Sequence, residues 1–256
     1  MLICLLPVAL IFAGCGAQAD SKPELTIFAA SSLKDVFEDL GGDFERQNPG
    51  VKVRFNFAGS SMLLVQLQQG TSADVFASAD EAKMEDALKA GQVQESRVFA
   101  RNSPVVIVAA ENPVGVGTLQ DLTKPDLDLV LAQDDVPIAA YTEEILERSN
   151  AHYGGSFEAR IMENVVSRES DVRAAANRVA LGEADATFVY ASDVTPSIRD
   201  RVEVVEIPEK INVVATYPIA VTEDAPNPRL AREWRKLVLS KDGQRTMEKW
   251  GFKRAR

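Results

Sequence analysis

Along most of the chain, segments with the hydrophobic pattern of a strand alternate with segments that have the pattern of an amphipathic helix. Short runs rich in β-branched and aromatic residues predict strands, the first two at residues 25–30 and 51–57. Amphipathic segments follow them. Hydrophobic residues at helical spacing mark the first predicted helix: Leu33, Val36, Phe37, Leu40 and Phe44. The repeated order of strand and helix predicts an α/β fold with largely parallel sheets.

The same order continues to the end of the chain. Further strands are predicted at residues 74–77, 104–110, 127–132, 183–190 and 213–221. Asp80, Ser170 and Ser240 stand at predicted helix starts, and Gly91 and Gly182 at predicted helix ends. These units are too many for one small sheet. We therefore expect two lobes, with the chain crossing near residues 108–115 and returning near 213–218.

The N-terminus is apolar through Gly14 and polar after it. This run is too short to span a membrane and is typical of a secretory signal. Its end, Phe12-Ala13-Gly14-Cys15, resembles a bacterial lipobox, although no Lys or Arg precedes the apolar run. We expect lipidation at Cys15 and an extracytoplasmic, periplasmic or cell-surface location with the protein anchored to the membrane. The alternative is a cleaved signal with a coincidental cysteine.

Composition and charge limit the classes of ligand or macromolecule that this protein is expected to bind. The 256 residues are 46% hydrophobic and 26% charged, which is ordinary for a soluble globular protein. A net charge of −10 argues against nucleic acid, whose binding requires clustered lysines and arginines. It does not exclude a small anion, because local backbone dipoles can bind one and salt screens distant charges.

Four predicted helix starts carry groups that suit an anion. They are Ser32, Ser60, the VPIAAY segment around Ile138 and the SDVR segment around Val172. Helices that follow parallel strands point their free N–H groups at the edge of the sheet where ligands bind. The alternative in each case is an ordinary helix start. On that interpretation Ser32 and Ser170 cap their helices, and Asp35 reaches back toward Ser32.

Pro137 suits the first position of a helix because it has no N–H to leave unpaired. The N–H of Ile138 would then remain free as a donor. In SDVR, capping by Ser170 would likewise leave the N–H of Val172 free.

Seven segments together carry a family resemblance. FAASSL, FAGSS, ADVFASAD, VPIAAY, SDVR, GEADATFVY and WGF, in this order between residues 25 and 252, resemble the molybdate-binding component of bacterial ABC importers. The resemblance implies a two-lobed fold of the periplasmic-binding-protein type (class II), with the ligand cleft between the lobes. With the crossings and the signal predicted above, the chain divides into a signal and tether at residues 1–23, lobe one at 24–107 plus 217–256, and lobe two at 108–216.

The resemblance also implies a site made of neutral donors. These are the hydroxyl and backbone groups of Ser32 and Ser60, the N–H groups of Ile138 and Val172, and the Tyr190 hydroxyl. A fully deprotonated tetrahedral dianion accepts hydrogen bonds at every oxygen, so such a site needs no carboxylate. Where the family commonly has a small residue after the proline, this chain has Ile138, whose side chain can alter the pocket volume.

The implied function is capture of molybdate, and of tungstate with nearly the same size and charge, for delivery to an ABC permease. Molybdenum enters only as its oxyanion, without protein ligands to the metal, and we expect a monomer without a cofactor. The alternative is another oxyanion, such as sulfate or phosphate. A serine hydrolase is a remote alternative. His152, the sole histidine, is expected in a polar surface loop, and neither G-x-S-x-G nor H-E-x-x-H occurs, so we predict no enzyme.

Overall fold

The computed structural model describes residues 23–255 as two sheets with helices packed on them. The strands, in chain order, are β1 (Glu24–Ala30), β2 (Lys52–Ala58), β3 (Val75–Ala77), β4 (Val93–Asn102), β5 (Pro104–Ala109), β6 (Leu129–Ala132), β7 (Val165–Glu169), β8 (Ala186–Tyr190), β9 (Val202–Val205), β10 (Ala215–Thr222) and β11 (Lys253–Arg254). The α-helices are α1 (Lys34–Gln47), α2 (Ser60–Gln68), α3 (Glu81–Lys89), α4 (Pro137–Tyr153), α5 (Phe157–Met162), α6 (Val172–Ala180), α7 (Pro228–Leu239) and α8 (Lys241–Lys249). Short 3-10 helices lie at Ser31–Leu33, Leu119–Thr123, Ala191–Asp193 and Arg199–Arg201.

Both sheets are mixed. The first has the order β11-β4-β10-β3-β1-β2, and the second has the order β7-β6-β8-β5-β9. β1 runs parallel to β2 and β3, whereas β10 is antiparallel to β3 and β4. In the second sheet β6 is parallel to β7 and β8, and β5 is antiparallel to β8 and β9. The predicted α/β class is confirmed. The prediction of largely parallel sheets is wrong, because the strands next to the passages between the sheets, β4, β5 and β10, pair antiparallel with their neighbours.

The chain passes from the first sheet to the second at Ser103, between β4 and β5. This is earlier than the predicted crossing at residues 108–115, and it places β5 with the second sheet although the predicted boundary kept residues up to 107 in lobe one. The apolar run PVVIVA suits a buried strand in either sheet. Its pairing with β8 and β9 places it in the second sheet. We call residues 23–102 with 215–255 the first lobe and residues 104–214 the second lobe.

Helix α1 shows how the first lobe forms its core. Its buried residues include Val36, Phe37, Leu40 and Phe44, as the helical spacing predicts. The ring centroids of Phe37 and Phe44 lie 5.3 and 5.6 Å from that of the buried Trp234 on α7. Burial of large aromatic side chains contributes about 1.5 to 3 kcal/mol each, so this contact anchors α1 and the residues at its start.

Several predicted helix boundaries are confirmed. Asp80 accepts from Lys83 N at 2.8 Å and begins α3, which ends just before Gly91 with its φ of +67°. Ser240 accepts from Gly243 N at 3.0 Å and begins α8. The loop predicted around His152 is wrong, because α4 continues to Tyr153; His152 lies in its last turn and is exposed.

Apart from the two-residue β11, three strands of the structure were not predicted, namely β4, β7 and β9. Each carries charged or polar residues between its apolar ones, which hides the strand pattern. The predicted lipidation site Cys15, and the predicted signal except for Pro23, lie outside the described residues. Within residues 23–255, no helix combines the length and the apolar character that crossing a membrane requires.

Candidate functional site

A small cavity lies between the two lobes. The first lobe contributes the ends of β1 and β2 and the residues that follow β1, β2 and β3, and the second lobe contributes the starts of α4 and α6 and the end of β8. The lining residues are Ala30, Ser31, Ser32, Ala58, Gly59, Ser60 and Ala79 from the first lobe, and Val136, Pro137, Ile138, Val172 and Tyr190 from the second. All five residues that the sequence singled out therefore line one cavity. Every lining side chain is uncharged.

Ser60 is the first residue of α2 and is fully buried. Its hydroxyl does not cap the helix. Instead, Ser60 Oγ accepts a hydrogen bond of 3.1 Å from the backbone N–H of Ala79, which follows β3. Because a hydroxyl carries one proton and can also accept, the Ser60 proton remains available for an acceptor in the cavity.

Ser32 does not cap α1, and this interpretation of the sequence is wrong. The 3-10 turn Ser31–Leu33 stands between β1 and α1, so the N-cap position falls on Leu33 and no side chain caps the helix. The Ser32 hydroxyl instead lies 3.0 Å from the Tyr217 hydroxyl. Asp35 does not reach back toward Ser32; its Oδ2 accepts from Arg173 Nη2 at 2.6 Å.

Two backbone N–H groups of the second lobe are free at helix starts. Pro137 opens α4, and the N–H of Ile138 donates to no other group in the part of the chain that the structure describes. Asp171, and not Ser170, caps α6: its Oδ1 accepts from Arg173 N at 2.8 Å and from Ala174 N at 3.0 Å. An aspartate accepts more strongly than a serine, and the cap leaves Val172 N–H without an acceptor among residues 23–255.

Tyr190 ends β8 and is 1% exposed. Its hydroxyl has no hydrogen-bond partner among the described residues. Burial, with the neighbouring Tyr217 and Tyr141 next in effect, raises the pKa of Tyr190 well above its ordinary value, so the hydroxyl keeps its proton and is a donor. A buried donor without a partner is costly, which makes Tyr190 Oη a position where an acceptor on a ligand would stabilise the protein.

Charged groups lie behind the cavity and compensate one another. Arg173 contacts Asp35 of the first lobe through Nη2, and Asp193 Oδ1 lies 2.7 Å from Arg173 Nε. Asp193 is fully buried, and burial raises its pKa to about 6 although Arg173 opposes that shift. None of these three residues lines the cavity. The cavity is therefore polar through neutral donors only.

Five residues at or around the site were not predicted from the sequence: Ser31, Arg173, Asp193, Tyr217 and Asn102. Ser31 could have been predicted as a cavity residue, because it directly precedes Ser32 in the sequence. A tyrosine in the apolar stretch that became β10, and a buried Asn102 at the end of an unpredicted strand, gave no comparable signal. The contacts of Tyr217 and Asn102 join residues far apart in the chain.

The lobes touch beside the cavity. Ser61 Oγ donates to the backbone carbonyl of Asp135 across the cleft. A Cβ atom at Gly59 would lie 2.9 Å from the carbonyl oxygen of Ser170, so the two backbones approach each other where only glycine fits. No group of His, Cys, Asp and Glu within residues 23–255 has the arrangement of a metal site.

Comparison with known proteins gives the same family from sequence and structure. The family described as bacterial extracellular solute-binding protein matches residues 25–253. The molybdate-binding protein ModA of Mycobacterium tuberculosis is 40% identical over 229 residues, which is 89% of this chain and 84% of the relative. ModA of Escherichia coli is 30% identical over 84% of this chain and 83% of the relative.

Solved structures agree with this. The substrate-binding domain of a putative molybdenum ABC transporter from Clostridium difficile is 28% identical, with a TM-score of 0.67 over 91% of this chain and 99% of that one. The periplasmic molybdate-binding protein of Azotobacter vinelandii has a TM-score of 0.77 over 89% and 98% of the two chains, and its 17% identity makes it a likeness of fold alone. The predicted two-lobed binding-protein fold is thus confirmed, as is the prediction of a binding protein and not an enzyme. The chain belongs to the family of bacterial extracellular solute-binding proteins.

Proposed function

We propose that this protein captures molybdate outside the cytoplasm and delivers it to an ABC permease. The observation that carries the proposal is the convergence of five neutral donors on one cavity whose lining has no charged side chain. Those donors are the hydroxyls of Ser32, Ser60 and Tyr190 and the N–H groups of Ile138 and Val172. Relatives named as molybdate-binding proteins, at up to 40% identity, support the choice of anion.

The donor set suits an anion without protons. Molybdate is a tetrahedral dianion at neutral pH and accepts at each of its oxygens. Hydrogen phosphate carries a proton and would gain from an acceptor, which the five donors do not offer. Helix N-termini and hydroxyls bind the dianion through oriented dipoles, so no lysine or arginine needs to enter the cavity. Tungstate, with nearly the same size and charge, fits the same donors, and the site uses no cofactor.

Binding is proposed to bring the two lobes together. Ser32 and Ser60 belong to the first lobe, and Ile138, Val172 and Tyr190 belong to the second, so a bound anion links both. The connections at Ser103 and at residues 214–215 are the positions where rotation between the lobes can occur. The closed pair of lobes then forms the surface that the permease recognises. One chain supplies the whole site, which agrees with a monomer.

Anchoring through a lipidated Cys15 is part of the proposal. A relative from Bacillus subtilis, 26% identical over 257 residues and covering 98% of this chain and 96% of the relative, is named a putative ABC transporter substrate-binding lipoprotein. Mass spectrometry of the protein purified from membranes tests the anchor. A diacylated or triacylated N-terminal Cys15 is the expected product, and an unmodified N-terminus elsewhere would contradict it.

Isothermal titration calorimetry with molybdate, tungstate, sulfate and phosphate in turn tests the function. We expect one-to-one binding of molybdate and tungstate and no measurable binding of sulfate. Ser60→Ala is the site variant, because its hydroxyl lines the cavity, and Ser156→Ala, on an exposed residue before α5, is the matched control. Binding of sulfate or phosphate in place of molybdate would move the function to another oxyanion, and no binding of any of the four would overturn the proposal.

A further inference from the structure

Tyr217 stands directly behind Ser32 without lining the cavity. It lies on β10, close to the return from the second lobe to the first, and is fully buried. Its hydroxyl is 3.0 Å from Ser32 Oγ. Edge-on contacts with Tyr190, at 5.6 Å between ring centroids, and with Phe252, at 5.4 Å, hold the ring in place. The Tyr217 hydroxyl is therefore fixed against the serine that faces the ligand.

Asn102 is a further buried polar side chain that influences the Tyr217 hydroxyl. Its Oδ1 accepts from the backbone N–H of Ser103 at 2.9 Å, and because a backbone N–H can only donate, the amide has one orientation. The Nδ2 group therefore points the other way. It donates to Ser192 Oγ at 2.8 Å, and the Asn102 side chain opposes the rise in the pKa of Tyr217 that burial causes, as a donor near the phenol oxygen does. Asn102 itself is fully buried.

The direction of the hydrogen bond between the Tyr217 and Ser32 hydroxyls follows from which protons need an acceptor. The buried Tyr217 hydroxyl has Ser32 Oγ as its one hydrogen-bond partner among residues 23–255, so the Tyr217 proton must go to Ser32 Oγ. Ser32 Oγ is then an acceptor inside the protein, and its own proton points into the cavity. With the opposite direction, Ser32 would donate to Tyr217 and the buried Tyr217 proton would have no acceptor, which is unfavourable.

Ser60 is held in the same way by a different group. Its Oγ accepts from the N–H of Ala79, so its proton also faces the cavity. The Tyr217 hydroxyl donates to Ser32 Oγ as the backbone N–H of Ala79 donates to Ser60 Oγ. Both serines are thereby donors toward the ligand and cannot easily turn to accept a proton from it.

We propose that Tyr217 is a positioning and specificity-determining residue, which makes Ser32 an obligatory donor and so favours fully deprotonated oxyanions over those that carry a proton. The inference rests on the proposed function, in that the cavity must hold an oxyanion. It concerns hydrogen-bond direction and not pocket size. It therefore predicts discrimination between molybdate and hydrogen phosphate, which differ in protonation.

A double-mutant cycle with calorimetry tests this inference. We measure molybdate and phosphate binding by the wild type, Tyr217→Phe, Ser32→Ala and the double variant. Tyr217→Phe is expected to weaken molybdate binding about tenfold and to raise phosphate affinity relative to molybdate, because the Ser32 hydroxyl becomes free to accept. In the Ser32→Ala background the same change is expected to have no further effect on molybdate binding.

Tyr141→Phe is the matched control. The Tyr141 hydroxyl accepts from the N–H of Thr216 at 3.3 Å, so it also contacts β10, but it contacts neither serine. We expect it to leave the ratio of molybdate to phosphate affinity unchanged. If Tyr217→Phe does not fold, Asn102→Leu is the second variant: it keeps both hydroxyls and removes the donor that influences the Tyr217 oxygen, so that this oxygen can accept from Ser32 more readily, and it is expected to raise the relative affinity for phosphate.

The outcomes separate the two proposals. Molybdate binding by the wild type, with additive losses in the cycle or an unchanged ratio of phosphate to molybdate affinity in Tyr217→Phe and Asn102→Leu, would overturn the role of Tyr217 and leave the proposed function intact. No molybdate binding by the wild type would overturn both.

Discussion

Arg173 Nη2 donates to Asp35 Oδ2 at 2.6 Å and joins α6 of the second lobe to α1 of the first. The two side chains are 18% and 27% exposed, so the pair is largely shielded from solvent. Each residue lies within three positions of a cavity residue, Asp35 after Ser32 and Arg173 next to Val172. The contact therefore connects the two lobes directly beside the cavity.

Asp35→Asn is expected to weaken molybdate binding. A contact between lobes is lost when they separate, so it stabilises only the closed form that holds the ligand. A charge-assisted hydrogen bond of this kind contributes about 1 to 2 kcal/mol, which corresponds to roughly fivefold to thirtyfold in affinity. Calorimetry at low and high salt checks this, with the larger effect expected at low salt.

Asp39→Asn is the control for that change. Asp39 lies one turn further along α1, and its Oδ2 accepts from Trp250 Nε1 at 3.2 Å within the first lobe. The same loss of charge there is expected to leave affinity nearly unchanged. Equal losses in the two variants would mean that net charge, and not the contact across the cleft, determines the effect.

Gly59→Ala is expected to oppose closure. The added Cβ atom would lie 2.9 Å from the carbonyl oxygen of Ser170 in the other lobe, and a backbone atom cannot move aside as a side chain can. The φ of Gly59 is −59°, so alanine fits the local backbone and the first lobe should fold normally. We expect molybdate affinity to fall about tenfold or more with little change in the thermal stability of the unliganded protein.

Gly155→Ala is the matched control, because nothing lies within 4 Å of a Cβ atom at that position. Small-angle scattering of the Gly59→Ala protein with molybdate should show a larger radius of gyration than the wild type with molybdate. Equal radii and equal affinities would show that the close approach at Gly59 has no bearing on closure.

Tyr190→Phe is expected to separate ligand binding from stability. The Tyr190 hydroxyl is buried without a partner among residues 23–255, so its removal should leave the unliganded protein equally stable or slightly more stable. Molybdate affinity should fall by about 1 to 3 kcal/mol, the value of a hydrogen bond to a charged group. Thermal unfolding with and without molybdate checks both effects. A variant that loses stability without ligand, or keeps wild-type affinity, would contradict a role for this hydroxyl in binding.

Asp193 is expected to make stability depend on pH. Burial is the main cause that raises its pKa from 3.8 to about 6, so the folded protein binds this proton more tightly than the unfolded chain. The contribution to stability is therefore complete below the unfolded pKa and is lost as pH rises through the window from 3.8 to about 6. A difference of about two pKa units corresponds to at most about 3 kcal/mol.

Urea unfolding of the wild type and of Asp193→Asn, compared between about pH 4 and about pH 7, isolates this group because all other titrations are shared. The difference in free energy of unfolding between the two proteins should change in favour of Asp193→Asn as pH rises through the window. Asparagine retains an acceptor for the N–H of Tyr190, which Asp193 Oδ2 accepts at 3.0 Å. Parallel pH profiles would rule out the raised pKa.

Elements whose signal is local were predictable. Asp80 and Ser240 cap the helices that follow them, and the hydrophobic residues of α1 recur at the spacing that buries one face. These features depend on residues within one or two turns of each other. By contrast, the pairing of β5 and the strand β4, with its interspersed charges, depend on partners distant in the chain.

The candidate site divides in the same way. The sequence by itself determined the four helix starts that now line one cavity, because strand ends and helix N-termini are local features with a common direction in α/β folds. The family resemblance of the sequence added Tyr190. Only the tertiary structure decided how their polar groups are used. Ser32 bonds to Tyr217, 185 positions away, and Asp35 to Arg173, 138 positions away, where capping had been expected. A hydroxyl or carboxylate takes the best partner that folding brings near it, and local sequence does not contain the positions of those partners.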